Sequence, residues 1–170
     1  LGIPFMKKTY ISWKQIHDDI DVLASTIKNV DAIIGVGRGG LIPATLLSYK
    51  LGVSVINNFQ IQSYSDRNIP DAFKLWQIPE EHFIKQFSGT ATILVVDDLS
   101  DKGKTLEFIK RYFEHKNVKL RFVTLYIKTG TTFLPNLYVR EYSTEEWLVF
   151  PWETDVVSCN SDDNQLYFIY

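Results

Sequence analysis

Ile93-Leu94-Val95-Val96-Asp97-Asp98-Leu99-Ser100-Asp101-Lys102-Gly103-Lys104-Thr105 is the stretch on which the fold reading turns. Four apolar residues form a continuous run, as in a strand buried on both faces. Ala91–Val96 therefore reads as a strand. Two adjacent carboxylates follow where it should end, so Asp97–Gly103 reads as a polar loop. Leu106, Ile109 and Phe113 then mark a helix running to about His115. Strand, acidic loop and helix start make half of a strand–helix–strand unit.

The same grammar recurs on both sides. Ala32–Val36 is another short apolar run, interrupted by Gly37-Arg38-Gly39-Gly40. Pro43 sits where a helix can begin, Leu46 and Leu47 continue it, and Gly52 is placed to stop it. Val53–Ile56 reads as a further strand. Upstream, Ser12-Trp13-Lys14-Gln15 is a capping box, and Ile16, Ile20, Leu23 and Ile27 form one apolar helical stripe ending near Asn29. Downstream, Leu120–Ile127 alternates and reads as a fourth strand, and Leu137–Val139 as a short fifth. Asn57–Glu81 is polar, holds two prolines and shows no period. A segment this long inside a compact domain is expected to be a lid over a site. The alternation predicts a single α/β domain, a mostly parallel sheet flanked by helices. Such sheets bind ligands at the carboxyl ends of their strands. The loops at Gly37 and Asp97 both lie at such ends.

The chain has 170 residues, 45% of them apolar, which suits one domain with a real core. A net charge of −2 argues against charge-driven nucleic-acid binding, and none is expected. Cys159 is the only cysteine, so no internal disulfide and no multi-cysteine metal site can form, which fits a reducing cytoplasm. No apolar run reaches membrane length and no signal-peptide pattern opens the chain. Met6 reads as the natural start, with Leu1–Phe5 as a leader.

Chemically, the 93–105 stretch suits a phosphorylated sugar. A helix N-terminus offers unpaired amides and a positive dipole end to a phosphate. Gly103 lets the backbone come close, and Thr105 adds a hydroxyl donor. Asp97 and Asp98 can accept from vicinal ribose hydroxyls and help hold Mg²⁺. Arg38 between glycines suits a tight loop presenting amides and a guanidinium to an anion.

These features resemble the phosphoribosyl pyrophosphate motif of type I phosphoribosyltransferases: four apolar residues, two acidic, then a loop ending Asp-Thr-Gly-x-Thr. Here that ending is Asp101-Lys102-Gly103-Lys104-Thr105, with Lys102 in place of the usual Thr. The ammonium of Lys102 stands in for the lost hydroxyl beside the 5′-phosphate. The resemblance implies that Arg38, Gly39 and Gly40 hold the pyrophosphate, and that the Arg38–Gly39 peptide is cis. Further stretches are similar to the bacterial xanthine-guanine phosphoribosyltransferase group. They are Tyr10-Ile11-Ser12-Trp13, Arg38-Gly39-Gly40-Leu41-Ile42-Pro43, Ser63-Tyr64-Ser65, Lys128, Glu146-Trp147-Leu148 and Pro151-Trp152-Glu153. The match runs, with gaps, from about Tyr10 to Asp155.

That resemblance implies an enzyme of purine salvage that uses Mg²⁺, phosphoribosyl pyrophosphate and a 6-oxopurine, and forms a homo-oligomer. Asp97, Asp98 and Asp101 would be the catalytic carboxylates, with Asp97 and Asp98 at the metal and Asp101 near N7 of the base. Lys102, Gly103, Lys104 and Thr105 would bind the 5′-phosphate. Lys128 would donate to the 6-oxo group, and Trp147 and Leu148 would form a C-terminal hood over the base. Alone, Trp147 reads equally as a core aromatic and Lys128 as a solvated lysine, while Trp152 reads as packing. Arg67 and Lys74 are candidate anion contacts in the lid. The expected domain spans 6–159, with the lid at about 57–81 and the hood at about 128–155. Residues 160–170 form a tail outside the match. Two other classes stay open. A non-catalytic regulator of the same fold would bind phosphoribosyl pyrophosphate or nucleotide without turnover. A phosphate-binding α/β protein of another kind would need both loop matches to be accidental.

Overall fold

The computed structural model describes residues 7–66 and 69–153, and at 63–66 and 69–72 the backbone alone. Met6, Arg67, Asp155, Cys159 and the 160–170 tail lie outside the described residues. In chain order the elements are β1 (Lys7–Tyr10), α1 (Trp13–Thr26), β2 (Ala32–Val36), α2 (Leu41–Leu51), β3 (Ile56–Asp66), β4 (Ile69–Gln77), α3 (Glu81–Gln86), β5 (Thr92–Ser100), α4 (Lys104–Phe113), β6 (Lys119–Lys128), β7 (Arg140–Tyr142) and β8 (Glu146–Val149). The main sheet has the order β4-β3-β2-β5-β6-β7 and is parallel except for β4. β1 and β8 form a separate parallel pair. Among the described residues no helix is long and apolar enough to cross a membrane.

The apolar runs are continuous because both faces of the sheet are covered. Ile33, Leu94, Val96, Val123 and Leu125 face α1 and α2, meeting Ile16, Ile20, Leu23, Ala44 and Leu47. Ile34, Ile93, Val95 and Phe122 face α3 and α4, meeting Phe83, Ile84, Leu106, Ile109 and Phe113. Ser12 caps α1 by accepting from the Gln15 N–H at 3.1 Å. The capping box is only half formed, because the Gln15 amide reaches inward to the Tyr126 and Tyr142 hydroxyls at 3.2 and 3.0 Å. Gly52, at φ +68°, ends α2 as its position predicts.

Four expectations are corrected. Asn57–Glu81 is not irregular: most of it is the antiparallel β3–β4 hairpin, followed by the start of α3. Lys74, Leu75, Trp76, Gln77 and Ile78 are all exposed, so no buried face imposes a period. The strand expected at Val53–Ile56 begins only at Ile56 and runs on into the hairpin. The polar loop expected at Asp97–Gly103 shrinks to its last three residues, because Asp97–Ser100 stay paired to β6. Leu137 makes only an isolated bridge to Val123, and β7 starts at Arg140. The Asn136 side chain intrudes there, accepting from the Phe122 N–H at 2.7 Å in place of a backbone carbonyl.

A buried polar network joins α1 to β6 and β7. Asp19, 1% exposed, accepts from Arg140 through Nη2 at 2.6 Å and Nε at 2.9 Å. Its Oδ2 also accepts from the Tyr126 hydroxyl at 2.9 Å, and burial together with this carboxylate pushes the Tyr126 pKa up. Removing Arg140 would leave a buried carboxylate with one donor. Arg140→Met should therefore cost about 2–3 kcal/mol, below the full buried-pair value because Arg140 is half-exposed. The check is urea unfolding, with the midpoint falling and the m-value unchanged.

Candidate active site

β2 and β5 lie side by side, with Gly35 level with Val96, so the loops leaving their carboxyl ends must share one space. Gly40 makes this possible. A Cβ there would lie 2.6 Å from the carbonyl oxygens of Val36 and Val96 and 2.9 Å from the Asp97 Cα. Beside it, the Asp98 carboxylate fills the place a side chain at Gly39 would need. The Arg38 loop and the acidic pair are therefore one packed unit. Gly37, at φ +58°, turns the loop, and no cis peptide occurs among the described residues. The Arg38–Gly39 bond is trans, contrary to expectation.

Asp97 and Asp98 are partly buried. Asp97 Oδ1 accepts from the Asp98 N–H at 2.9 Å. Burial, then the neighbouring Asp98 charge, holds the Asp97 carboxyl well above the usual carboxylate range. Burial also pushes Asp98 up to about 6, with the Glu153 charge adding to it. Concentrated negative charge on hard oxygen donors is what a divalent cation relieves. Among the described residues no three His, Cys, Asp or Glu side chains converge as a metal cage. Two carboxylates that leave most positions to water and substrate oxygens suit Mg²⁺ better than a fully protein-held ion.

Asp101, Lys102 and Gly103 connect β5 to α4. Gly103 sits at φ +82°, and a Cβ on it would come 2.5 Å from the Phe133 amide nitrogen. The segment after β6 clasps this loop. The Thr132 N–H and hydroxyl donate to the Lys102 carbonyl at 3.3 and 2.8 Å. The Ser100 hydroxyl donates to the Phe133 carbonyl at 3.1 Å. No side chain caps α4, and a helix start of this kind suits an anion.

Arg38, Gly39, Asp97, Asp98, Thr105 and Trp147 all line one cleft of about 1110 Å³. Strand alternation puts Trp147 and Val149 on its wall and turns Leu148 into the core. Gly40 lies beneath the loop. Asp101, Lys102 and Lys104 are exposed and do not reach the cleft wall, and Gly103 is buried under Phe133. Lys128 is not solvated. It is 4% exposed, and its ammonium donates to the carbonyls of Ser143, at 3.0 Å, and Glu146. Burial lowers its pKa. Lys74 stacks 3.9 Å over the Trp76 ring.

Sequence reasoning singled out none of Gln60, Gln62 and Trp76, which join the cleft from the hairpin, while Glu153, in a stretch expected in the hood, lies beside the acid pair. The hairpin residues carry no local signal. Trp152, expected to be packing, does both jobs. It stacks on Phe150 at 4.8 Å and 15°, meets Trp13 at 5.8 Å, and still lines the cleft.

Residues 12–159 match the family model described as "Phosphoribosyl transferase domain". A xanthine-guanine phosphoribosyltransferase of Cereibacter sphaeroides is 31% identical over 160 residues, 89% of this chain and 90% of the relative. One from Desulfotalea psychrophila is 33% identical over 154 residues, 88% of this chain and 89% of the relative. The crystal structure of a purine phosphoribosyltransferase from Pyrococcus horikoshii superposes with a TM-score of 0.71 at 31% identity, covering 86% of this chain and 94% of that one. With the Arg38 loop, the acidic pair and the parallel sheet in place, this chain belongs to the phosphoribosyltransferase family.

Proposed function

We propose that this protein joins a 6-oxopurine (guanine, xanthine or hypoxanthine) to phosphoribosyl pyrophosphate, giving the nucleoside 5′-monophosphate and pyrophosphate in purine salvage. One observation carries the reading. Arg38, the Asp97–Asp98 pair, Thr105 and Trp147 line a single cleft, as a reaction between a phosphorylated sugar and a flat base requires.

Each residue has a role in this reading. Thr105 and the first amides of α4 bind the 5′-phosphate, with Lys102 and Lys104 adding positive charge nearby. Gly103 keeps those amides accessible. Asp97 and Asp98 accept from the ribose hydroxyls and hold Mg²⁺. The chemistry that bound Mg²⁺ supplies is positive charge beside the pyrophosphate as it leaves. Arg38 adds its guanidinium to the same oxygens, and Gly39 and Gly40 let the loop close on them. The bond from the anomeric carbon to pyrophosphate breaks as a ring nitrogen of the base attacks. The proton that nitrogen loses is taken up near Asp101. Trp147 stacks on the base, Leu148 anchors that strand from behind, and Lys128 directs a donor at the 6-oxo group. Catalysis is then mostly positioning and electrostatic stabilisation. The hairpin, carrying Gln60, Gln62 and Trp76, limits water access to the activated sugar.

Pyrophosphate release should appear with guanine, xanthine or hypoxanthine and be absent with adenine, uracil and orotate. Turnover only with adenine or a pyrimidine would keep the sugar site and overturn the base pocket. Tight sugar-phosphate binding with no turnover would favour a regulator. Trp147→Ala should raise the purine KM about tenfold or more, the usual scale of base stacking, and leave the phosphoribosyl pyrophosphate KM nearly unchanged.

Asp98→Asn should trade activity for stability. The Asp98 carboxyl is raised from 3.8 to about 6, so between those values the folded state holds a proton the unfolded chain lacks. Stability from this group falls as pH rises through that window, and the cost is complete above it. The variant should melt roughly 2–4 °C higher than the parent at pH 7.5, and the gap should close towards pH 4. Its kcat/KM should fall roughly 100-fold or more. Differential scanning calorimetry at the two pH values, with steady-state kinetics, checks both.

A further inference from the structure

Lys128 is nearly enclosed at the end of β6, yet among the described residues its ammonium makes no ion pair with a carboxylate. Its two acceptors are backbone carbonyls, Ser143 at 3.0 Å and Glu146. Both belong to the turn that opens β8. An ammonium has three donors, so the direction of the remaining one is set by where this turn stands.

One side chain ties the turn to the far end of the chain. Glu146 Oε2 accepts from the Thr9 hydroxyl at 2.7 Å, with Lys7 Nζ at 3.9 Å. Glu146 Oε1 accepts from the Ser143 N–H at 3.4 Å. Thr9 sits in β1, whose register pairs Lys7 with Glu146 and Thr9 with Leu148. The turn closes on itself through the Glu146 N–H on the Ser143 carbonyl at 3.1 Å, and beyond the backbone pairing of β8 with β1 the Glu146 carboxylate adds a side-chain tie to Thr9. β1 pairs with β8 and lies outside the main sheet, so its position matters chiefly to the hood.

We propose that Glu146 and Thr9 are positioning residues for Lys128. The carboxylate holds the Ser143–Glu146 turn against β1, and the turn's carbonyls aim the ammonium at the base. The role at the base rests on the 6-oxopurine reading above. The clamp itself rests only on the hydrogen bonds.

The test uses the full chain with Glu146→Ala, Thr9→Val and the conservative Thr9→Ser. Steady-state kinetics with guanine give the first readout. Acylation of Lys128 by N-acetoxysuccinimide without substrate, followed by peptide mass spectrometry, gives the second. Glu146→Ala should raise the guanine KM about tenfold, the scale of one or two lost hydrogen bonds, with the phosphoribosyl pyrophosphate KM within about twofold. Lys128 should acylate several-fold faster. Thr9→Val should shift both readouts the same way by less, and Thr9→Ser should restore parental values. Equal rises in both KM values, or faster acylation with an unchanged guanine KM, would overturn the proposal. If the parent turned over no 6-oxopurine, the functional reading would fall, and unchanged acylation in Glu146→Ala and Thr9→Val would remove the clamp as well.

Discussion

The contact between the Gly39–Gly40 loop and the backbone of β5 is the constraint on which the rest of the site depends. Parallel pairing of β2 with β5 brings their carboxyl ends level. Two loops then leave from neighbouring points and must interpenetrate. They can do so only because Gly40 lacks the Cβ that would strike Val36, Val96 and Asp97. The Asp98 carboxylate takes up the remaining space beside Gly39. Anion-facing loop and acidic pair are thus held in fixed relation by steric exclusion, which requires no bond between them.

That arrangement has a cost. Two adjacent carboxylates are drawn out of water, and Glu153 adds a third negative charge nearby. Within the described residues the relief is local, from the Asp98 N–H on the Asp97 carboxylate at 2.9 Å and backbone donors on Asp98. A protein selected for stability alone would neutralise such a cluster. The proposed role in receiving ribose hydroxyls and a cation would keep it. The loop from β5 to α4 is built in a similar way. α4 starts at a left-handed glycine without a side-chain cap. The loop's outer side is held instead by Thr132 and Ser100 through backbone carbonyls.

The hood is built differently from the sheet. β1 and β8 form a pair of their own, 4 residues each, and their attachment is aromatic. Tyr126 stacks on Phe150 at 5.8 Å, Phe150 on Trp152, and Trp152 meets Trp13 at the start of α1. Tyr126 is anchored in turn by Asp19 and Gln15. The cleft wall at Trp147, Val149 and Trp152 is therefore continuous with the buried polar network, and rigidity reaches it from the core.

Local patterns alone determined β2, β5, β6, α1, α2 and α4. Strands covered on both faces need unbroken apolar runs, and helices need a stripe at helical spacing, both of which can be read from a few consecutive residues. Ser12 and Gly52 marked helix ends because caps act on adjacent amides. Asp97, Asp98 and Thr105 could be picked out as neighbours in one cleft for the same reason: charge, strand end and helix start are contiguous. The tertiary structure decided the rest, wherever the partner is remote. The hairpin carried no period, since exposed strands are held by backbone pairing that any sequence can make. The β1–β8 pair joins residues 7–10 to 146–149, and nothing in either segment names the other. Lys128, solvated only when read alone and otherwise expected at the base, proved to be covered by the Ser143–Glu146 turn. Gln60, Trp76 and Glu153 became cleft residues only once the sheet had closed around them. Sequence encodes which backbone each segment prefers and which faces avoid water, while contacts between distant segments exist only after the chain has folded.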